Sequence, residues 1–180
     1  MSVILQSSGG GQITLQEPTT ASNFTQTLPA ATGTVMVSGN MPAFSAYKSA
    51  SVQNFSSVTM TKVTFDVEEF DTNNNFASST FTPTVAGYYQ LSFALDVGAA
   101  AATLARATGY LAKNGGAFKI GAGYYGGYVG NEFSVAGSAL IYFNGTTDYA
   151  EVFIFAQGTS PAIYTGQSNT YFQAVLVRAA

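Results

Sequence analysis

A two-residue rhythm of apolar side chains restricts this chain more than any other feature. Tyr89, Leu91, Phe93 and Leu95 alternate with Gln90, Ser92 and Ala94. Val63, Phe65 and Val67 alternate with Thr64, Asp66 and Glu68, and the chain closes on Phe172, Ala174 and Leu176 set between Tyr171, Gln173, Val175 and Val177. Ala139, Ile141 and Phe143, then Val152-Phe153-Ile154-Phe155, continue the theme. Successive side chains of a strand leave on opposite faces, so a period of two lays one apolar face on a core. The residues at those positions are largely β-branched or aromatic, which suits a pleated surface. Turn residues separate the runs at Asn73-Asn74-Asn75, Ala86-Gly87, Asn114-Gly115-Gly116 and Asn144-Gly145. This pattern predicts an all-β sandwich or jelly roll over residues 41–180. Ala99 to Ala112 has some helical propensity, but its flanking glycines and its threonines make it a loop or strand.

Composition narrows what such a fold can do. Apolar residues make up 47% of the 180, enough for a core, while only 8% are charged, against about 25% in ordinary soluble domains. So neutral a surface points to an oligomer that buries part of it. The six Lys and Arg do not cluster, so the cationic footprints of nucleic-acid binding and of membrane-surface binding are both missing. No cysteine is present, which excludes disulfides and thiolate metal sites. Met1 to Gln6 lacks the basic and long apolar regions of a secretory signal. The most apolar long stretch, Tyr88 to Ala112, carries Asp96 and Arg106 and predicts no membrane insertion.

Residues 1–40 differ in character. They are rich in Gly, Ser, Thr, Gln and Ala, and Glu17 is their one charge. Apolar residues occur as Val3-Ile4-Leu5, Ile13, Leu15, Val35 and Val37, with Gly9-Gly10-Gly11 as a turn and further breaks at Leu28-Pro29 and Thr32-Gly33-Thr34. So few large side chains cannot bury a core of their own. The segment reads as an extended arm that docks on a partner through Val3, Ile4, Leu5, Ile13 and Leu15.

Catalytic constellations are weak. Without histidine, no Ser-His-Asp or Cys-His arrangement exists. Ser45-x-x-Lys48 lies in an expected strand and has no companion motif. Glu68 and Glu69, beside Asp71, should point to opposite strand faces and cannot share one substrate. Gly121-x-Gly123-x-x-Gly126 is followed by Gly127-Tyr128-Val129-Gly130, a poor helix start, so it is no dinucleotide site. Asp71, Asn73 and Asn75 resemble the opening of a calcium loop, but Phe76 and Thr82 stand where Gly and Glu belong, leaving an Asn-rich turn with only a weak metal claim. No enzyme activity and no cofactor are expected. Tyr124, Tyr125 and Tyr128 suggest an exposed binding loop, since tyrosine offers wide contact at low entropic cost; packing at a sandwich edge or at a subunit interface is the alternative.

One stretch is more specific. Phe65, Asp71, Phe76 and Phe81, followed by Gly87-x-Tyr89-x-Leu91-x-Phe93, resemble the signature of C1q/TNF-like domains. The gap from Phe76 to Phe81 is two residues shorter than the family's, and Leu91 replaces an aromatic. Pro42-Ala43-Phe44-Ser45-Ala46, Tyr110-Leu111-Ala112-Lys113-Asn114-Gly115, Ala139 to Phe155 with Thr147-Asp148, and Tyr171 to Val177 resemble further motifs of that family. The resemblance implies a ten-stranded jelly roll, with Phe65, Phe76, Phe81, Tyr89, Leu91, Phe93, Tyr171 and Phe172 packing its core or trimer contacts, and it implies a homotrimer. The arm from Gly10 to Gly33 resembles segments of bacteriophage structural proteins. The combined expectation is a trimeric virion-surface protein made in the host cytoplasm. Its arm would hold it to the major capsid protein or another virion protein as a decoration knob. The alternatives are a tail-fibre tip contacting a host receptor or glycan, and a soluble C1q-like recognition module.

Overall fold

Thr64 and Asp66 alternate in exposure with buried Val63 and Phe65 although none of the four belongs to a strand. Here the chain crosses between two sheets: Thr61–Lys62 (β5) pairs with one and Val67–Asp71 (β6) with the other. The computed structural model describes residues 2–16, 19–23, 25, 27, 30, 35–37, 39, 41–130 and 132–180. They divide into two units, Met1–Val35 and Met36–Ala180. Met36 packs against the core of the second, so that unit begins slightly before the boundary drawn at Asn40. The turn signals at Leu28-Pro29 and Thr32-Gly33-Thr34 lie outside the described residues.

The first unit holds an antiparallel hairpin of Ser2–Gln6 (β1) and Gln12–Gln16 (β2). Its turn closes with Ser7 N–H donating to Gly11 O at 2.7 Å.

The second unit is a two-sheet sandwich. One sheet contains Ala43–Tyr47 (β3), Gln53–Asn54 (β4), β6, Gly87–Gly98 (β9), Glu132–Phe143 (β12), Ala162–Ile163 (β14) and Tyr171–Ala179 (β15). Its antiparallel neighbours run β12-β9-β15-β3-β6, with β14 pairing beside Val97 and Gly98 at the end of β9 and β4 pairing with β14. The other sheet holds β5, Phe76–Ala77 (β7), Thr80–Phe81 (β8), Leu104–Lys113 (β10), Gly116–Gly130 (β11) and Ala150–Gln157 (β13), in the order β11-β10-β13-β8-β7, with β5 also on β13. Thirteen pieces thus stand in the described residues of this unit where ten strands were expected, because several ladders break into two-residue fragments at corners. Ala100–Ala102 forms one 3-10 turn, and most of the rest of the stretch with helical propensity is β10.

Rings dominate the core. Phe44 stacks on Phe76 and Phe81 at 4.7 and 4.5 Å between centroids, and Phe172 meets Phe44 edge-on at 5.0 Å. Tyr89 is fully buried and its hydroxyl donates to Val85 O at 2.7 Å, so the polar tip is satisfied. Burial pushes that phenol up to about 12.

Glycines let the sheets close around Phe93. A Cβ at Gly109 would lie 2.4 Å from that ring, and Cβ atoms at Gly121 and Gly137 would meet it at 2.7 and 2.5 Å. These three come from β10, β11 and β12, so the ring fills the space that their missing side chains leave.

Candidate assembly surface

The β12-β9-β15-β3-β6 sheet has a second face, turned away from the core. Register places its side chains in rows. Leu140, Gln90, Val175 and Ala43 form one; Ser138, Ser92, Gln173 and Ser45 the next; Ala136, Ala94, Tyr171 and Tyr47 a third. None of these side chains is charged. Beyond the first row Tyr142 and Tyr88 pair with rings 5.4 Å apart, and Arg178, opposite Tyr88, puts a charge at that end of the face. Leu140 is 53% exposed, Val175 44%, Tyr88 43% and Tyr142 41%. Amides tie the face together: Gln90 Nε2 donates across rows to Ser138 Oγ, and Gln173 Nε2 donates within its row to Ser92 Oγ. Phe70 stands half-exposed opposite Ser45, and a shallow depression of about 340 Å³ opens among Ala43, Phe70, Gln90, Ser92, Gln173 and Val175. Three uncharged rows with exposed aliphatic side chains and a flanking tyrosine pair have the composition of a buried interface core rather than of solvated surface.

The charges lie at its margins. At one end Asp96 follows Ala94 on the same side of β9, only 6% exposed. It hydrogen-bonds the Glu132 carboxyl and accepts from Asn169, and burial together with Glu132 raises it to about 6. Asp96 N–H donates to Thr170 Oγ1, whose hydroxyl donates to Tyr164 O. At the β6 edge a bulge releases Glu69, which accepts from Ser45 Oγ and Gln167 Nε2; these bonds lower its carboxyl although it is exposed.

A second polar cluster ties two hairpin ends together. Asn114 and Gly115 have positive φ, +54° and +78°, as a two-residue hairpin turn of this hand requires. Lys113 Nζ lies 2.9 Å from Asp148 Oδ2, Asn114 Nδ2 donates to Asp148 Oδ1 at 2.8 Å, and Asn114 Oδ1 accepts from Tyr149 N–H. Asn144 Oδ1 accepts three backbone N–H groups, those of Thr146, Thr147 and Asp148, each at 3.0 Å. Asn114 and Lys113 hold the Asp148 carboxyl below its ordinary range.

The residues singled out from the sequence distribute as follows. Phe65, Phe76, Phe81, Tyr89, Leu91, Phe93 and Phe172 are core side chains; Tyr171 belongs to the outer face. Tyr124, Tyr125 and Tyr128 do not form a loop: their backbones continue β11, with Tyr124 opposite Ala107 and Tyr125 opposite Arg106. The ladder to β10 runs on to Tyr124 and Tyr125, then shifts register before Gly130 pairs with Leu104. Both Asp71 carboxylate oxygens accept backbone N–H groups, from Asn73 and Phe76, while Asn75 bonds Asn73 O and Thr84. These side chains build the turn. Ser45 and Lys48 diverge, Ser45 to Glu69 and Lys48 Nζ to Thr64, so they form no nucleophile–base pair. Val3, Ile4, Leu5, Ile13 and Leu15 are each more than half exposed on the hairpin. The outer face itself was missed, though its signal lay in the alternate positions of β9, where Gln90, Ser92 and Ala94 carry no charge.

Comparison with solved structures defines the class. The globular domain of zebrafish complement 1qA matches 77% of this chain and 99% of its own with a TM-score of 0.53 at 18% identity. Murine APRIL at pH 5.0 matches 76% of this chain and 99% of its own with a TM-score of 0.57 at 9% identity. No family model and no curated protein matches the sequence. The fold is therefore a C1q/TNF-like jelly roll.

Proposed function

We propose that this chain is a non-catalytic recognition module that works as a homotrimer, with the outer face of the β12-β9-β15-β3 sheet as the contact between subunits. The observation that carries the reading is the face whose three central rows are uncharged, with Leu140, Val175, Tyr88 and Tyr142 exposed on it and Arg178 confined to its end beside Tyr88. A chain with 8% charged residues would otherwise spend what little apolar surface complementarity it has on solvent. The resemblance to C1q/TNF-like domains supports three as the number. Sedimentation of the purified chain should give a trimer, and Leu140→Lys, placing a charge in that face, should give folded monomers. A wild-type monomer at micromolar concentration would remove the proposal.

The finer reading is a place on a bacteriophage surface, as a capsid-decoration knob rather than a tail-fibre tip. Its support is the resemblance of the N-terminal segment to phage structural proteins and the separate N-terminal unit, which suits an attachment element. A chain lacking residues 2–40 should remain trimeric and fail to bind shells of the encoding phage. Full binding by the truncated knob, or adsorption of the knob to host cells instead, would refute capsid docking through the arm.

A further inference from the structure

The β1–β2 hairpin has two unlike faces. Register sets Val3 opposite Leu15 and Leu5 opposite Ile13, so these four share one face. Ile4 pairs with Thr14 on the other, whose neighbours include Gln6, Gln12 and Gln16. The four apolar side chains are 54–64% exposed. An isolated two-stranded hairpin is marginal in water, and it gains stability when its apolar face is covered.

We infer that the apolar faces of the β1–β2 hairpins of three chains pack on one another, forming a small second assembly point in the same trimer. The inference rests on the trimer of the proposed function. Size argues for copies held together already: four half-exposed side chains fall far short of the roughly 1,200 Å² that a free-standing interface needs. Trimerisation of the larger units would hold three hairpins on linkers at an effective concentration on the order of millimolar, where a small contact suffices. Charge agrees. Glu17 is the one charge in residues 1–40, so three copies converge with little repulsion, whereas a charged partner surface would find no complement on this hairpin. The opposite face, where Ile4 stands among Thr14 and the glutamines, remains available for attachment to anything larger.

The chain has no cysteine, so single introduced thiols report proximity cleanly. Leu5→Cys and Ile13→Cys place a thiol on the apolar face, and Thr14→Cys on the other. The full-length variants would be oxidised and run on a non-reducing denaturing gel, with sedimentation reporting the mass beforehand. Leu5→Cys and Ile13→Cys should form covalent dimers roughly tenfold faster than Thr14→Cys, at a rate unchanged by tenfold dilution, as linkage within one particle requires. Equal rates for all three thiols in a confirmed trimer would overturn the hairpin contact while leaving the trimer standing. Linkage that slows with dilution, or an apolar-face thiol that stays free in the trimer and becomes protected only when phage shells are added, would overturn it in favour of an outside partner. A monomeric mass would defeat the trimer reading itself.

Discussion

Replacing Asp96 by asparagine should change how stability depends on pH. Asp96 is 6% exposed, shares a hydrogen bond with Glu132 and has its carboxyl raised from the ordinary 3.8 to about 6 by burial first and Glu132 second. A carboxyl that holds its proton more tightly when folded favours the folded state fully below its unfolded pKa. That advantage fades as pH rises and is gone above about 6, where the buried carboxylate must ionise. The displacement corresponds to roughly 2–3 kcal/mol between pH 4 and pH 7, or about 5–10 °C in Tm for a chain of this length. The introduced amide can keep the hydrogen bond from Asn169 through its oxygen and offer an N–H to Glu132, and it has no carboxyl of its own to ionise. Other groups act elsewhere on the scale. Asp66, Glu69 and Asp148 all sit below their ordinary values, so their contribution is lost only as pH falls below about 4. Thermal unfolding at fixed protein concentration should therefore show wild-type Tm falling from pH 4.5 to 7 and the Asp96→Asn profile flat over that range, with the variant more stable at neutrality. Parallel wild-type and variant profiles would refute the assignment of this slope to Asp96.

Two further changes probe the packing and the hairpin lock. Gly109→Ala puts a methyl 2.4 Å from the Phe93 ring in a space that Gly121 and Gly137 close from other strands; urea unfolding should show a loss of about 1–3 kcal/mol, the usual effect of an overpacked core. Asp148→Ala removes the partner of Lys113, Asn114 and Asn144 N–H together. It should cost about 1–3 kcal/mol by the same assay and speed hydrogen exchange at the Asn144-Gly145 turn.

The alternation of apolar residues determined much of this protein by itself. A period of two permits only strands with one buried face, so the buried parity of β9 and β15 was readable from Tyr89 to Leu95 and from Phe172 to Leu176. The spaced aromatics pointed to the C1q/TNF-like jelly roll, and Asn114-Gly115 marked its hairpin. Tertiary structure decided the rest. The Lys113-Asn114 motif and Asp148 are far apart in sequence, and only the antiparallel pairing of β10 with β13 brings them into one network. The tyrosines of β11 read as a loop because glycines dominate locally; pairing of Tyr124 and Tyr125 with β10 overrides that weak preference. The outer face was the least legible feature. Its rows take one residue from each of four strands, so no contiguous stretch records that Leu140, Gln90, Val175 and Ala43 stand side by side. Sequence periodicity specifies which way a side chain points, whereas the register between strands specifies its neighbours, and an assembly surface is made of neighbours.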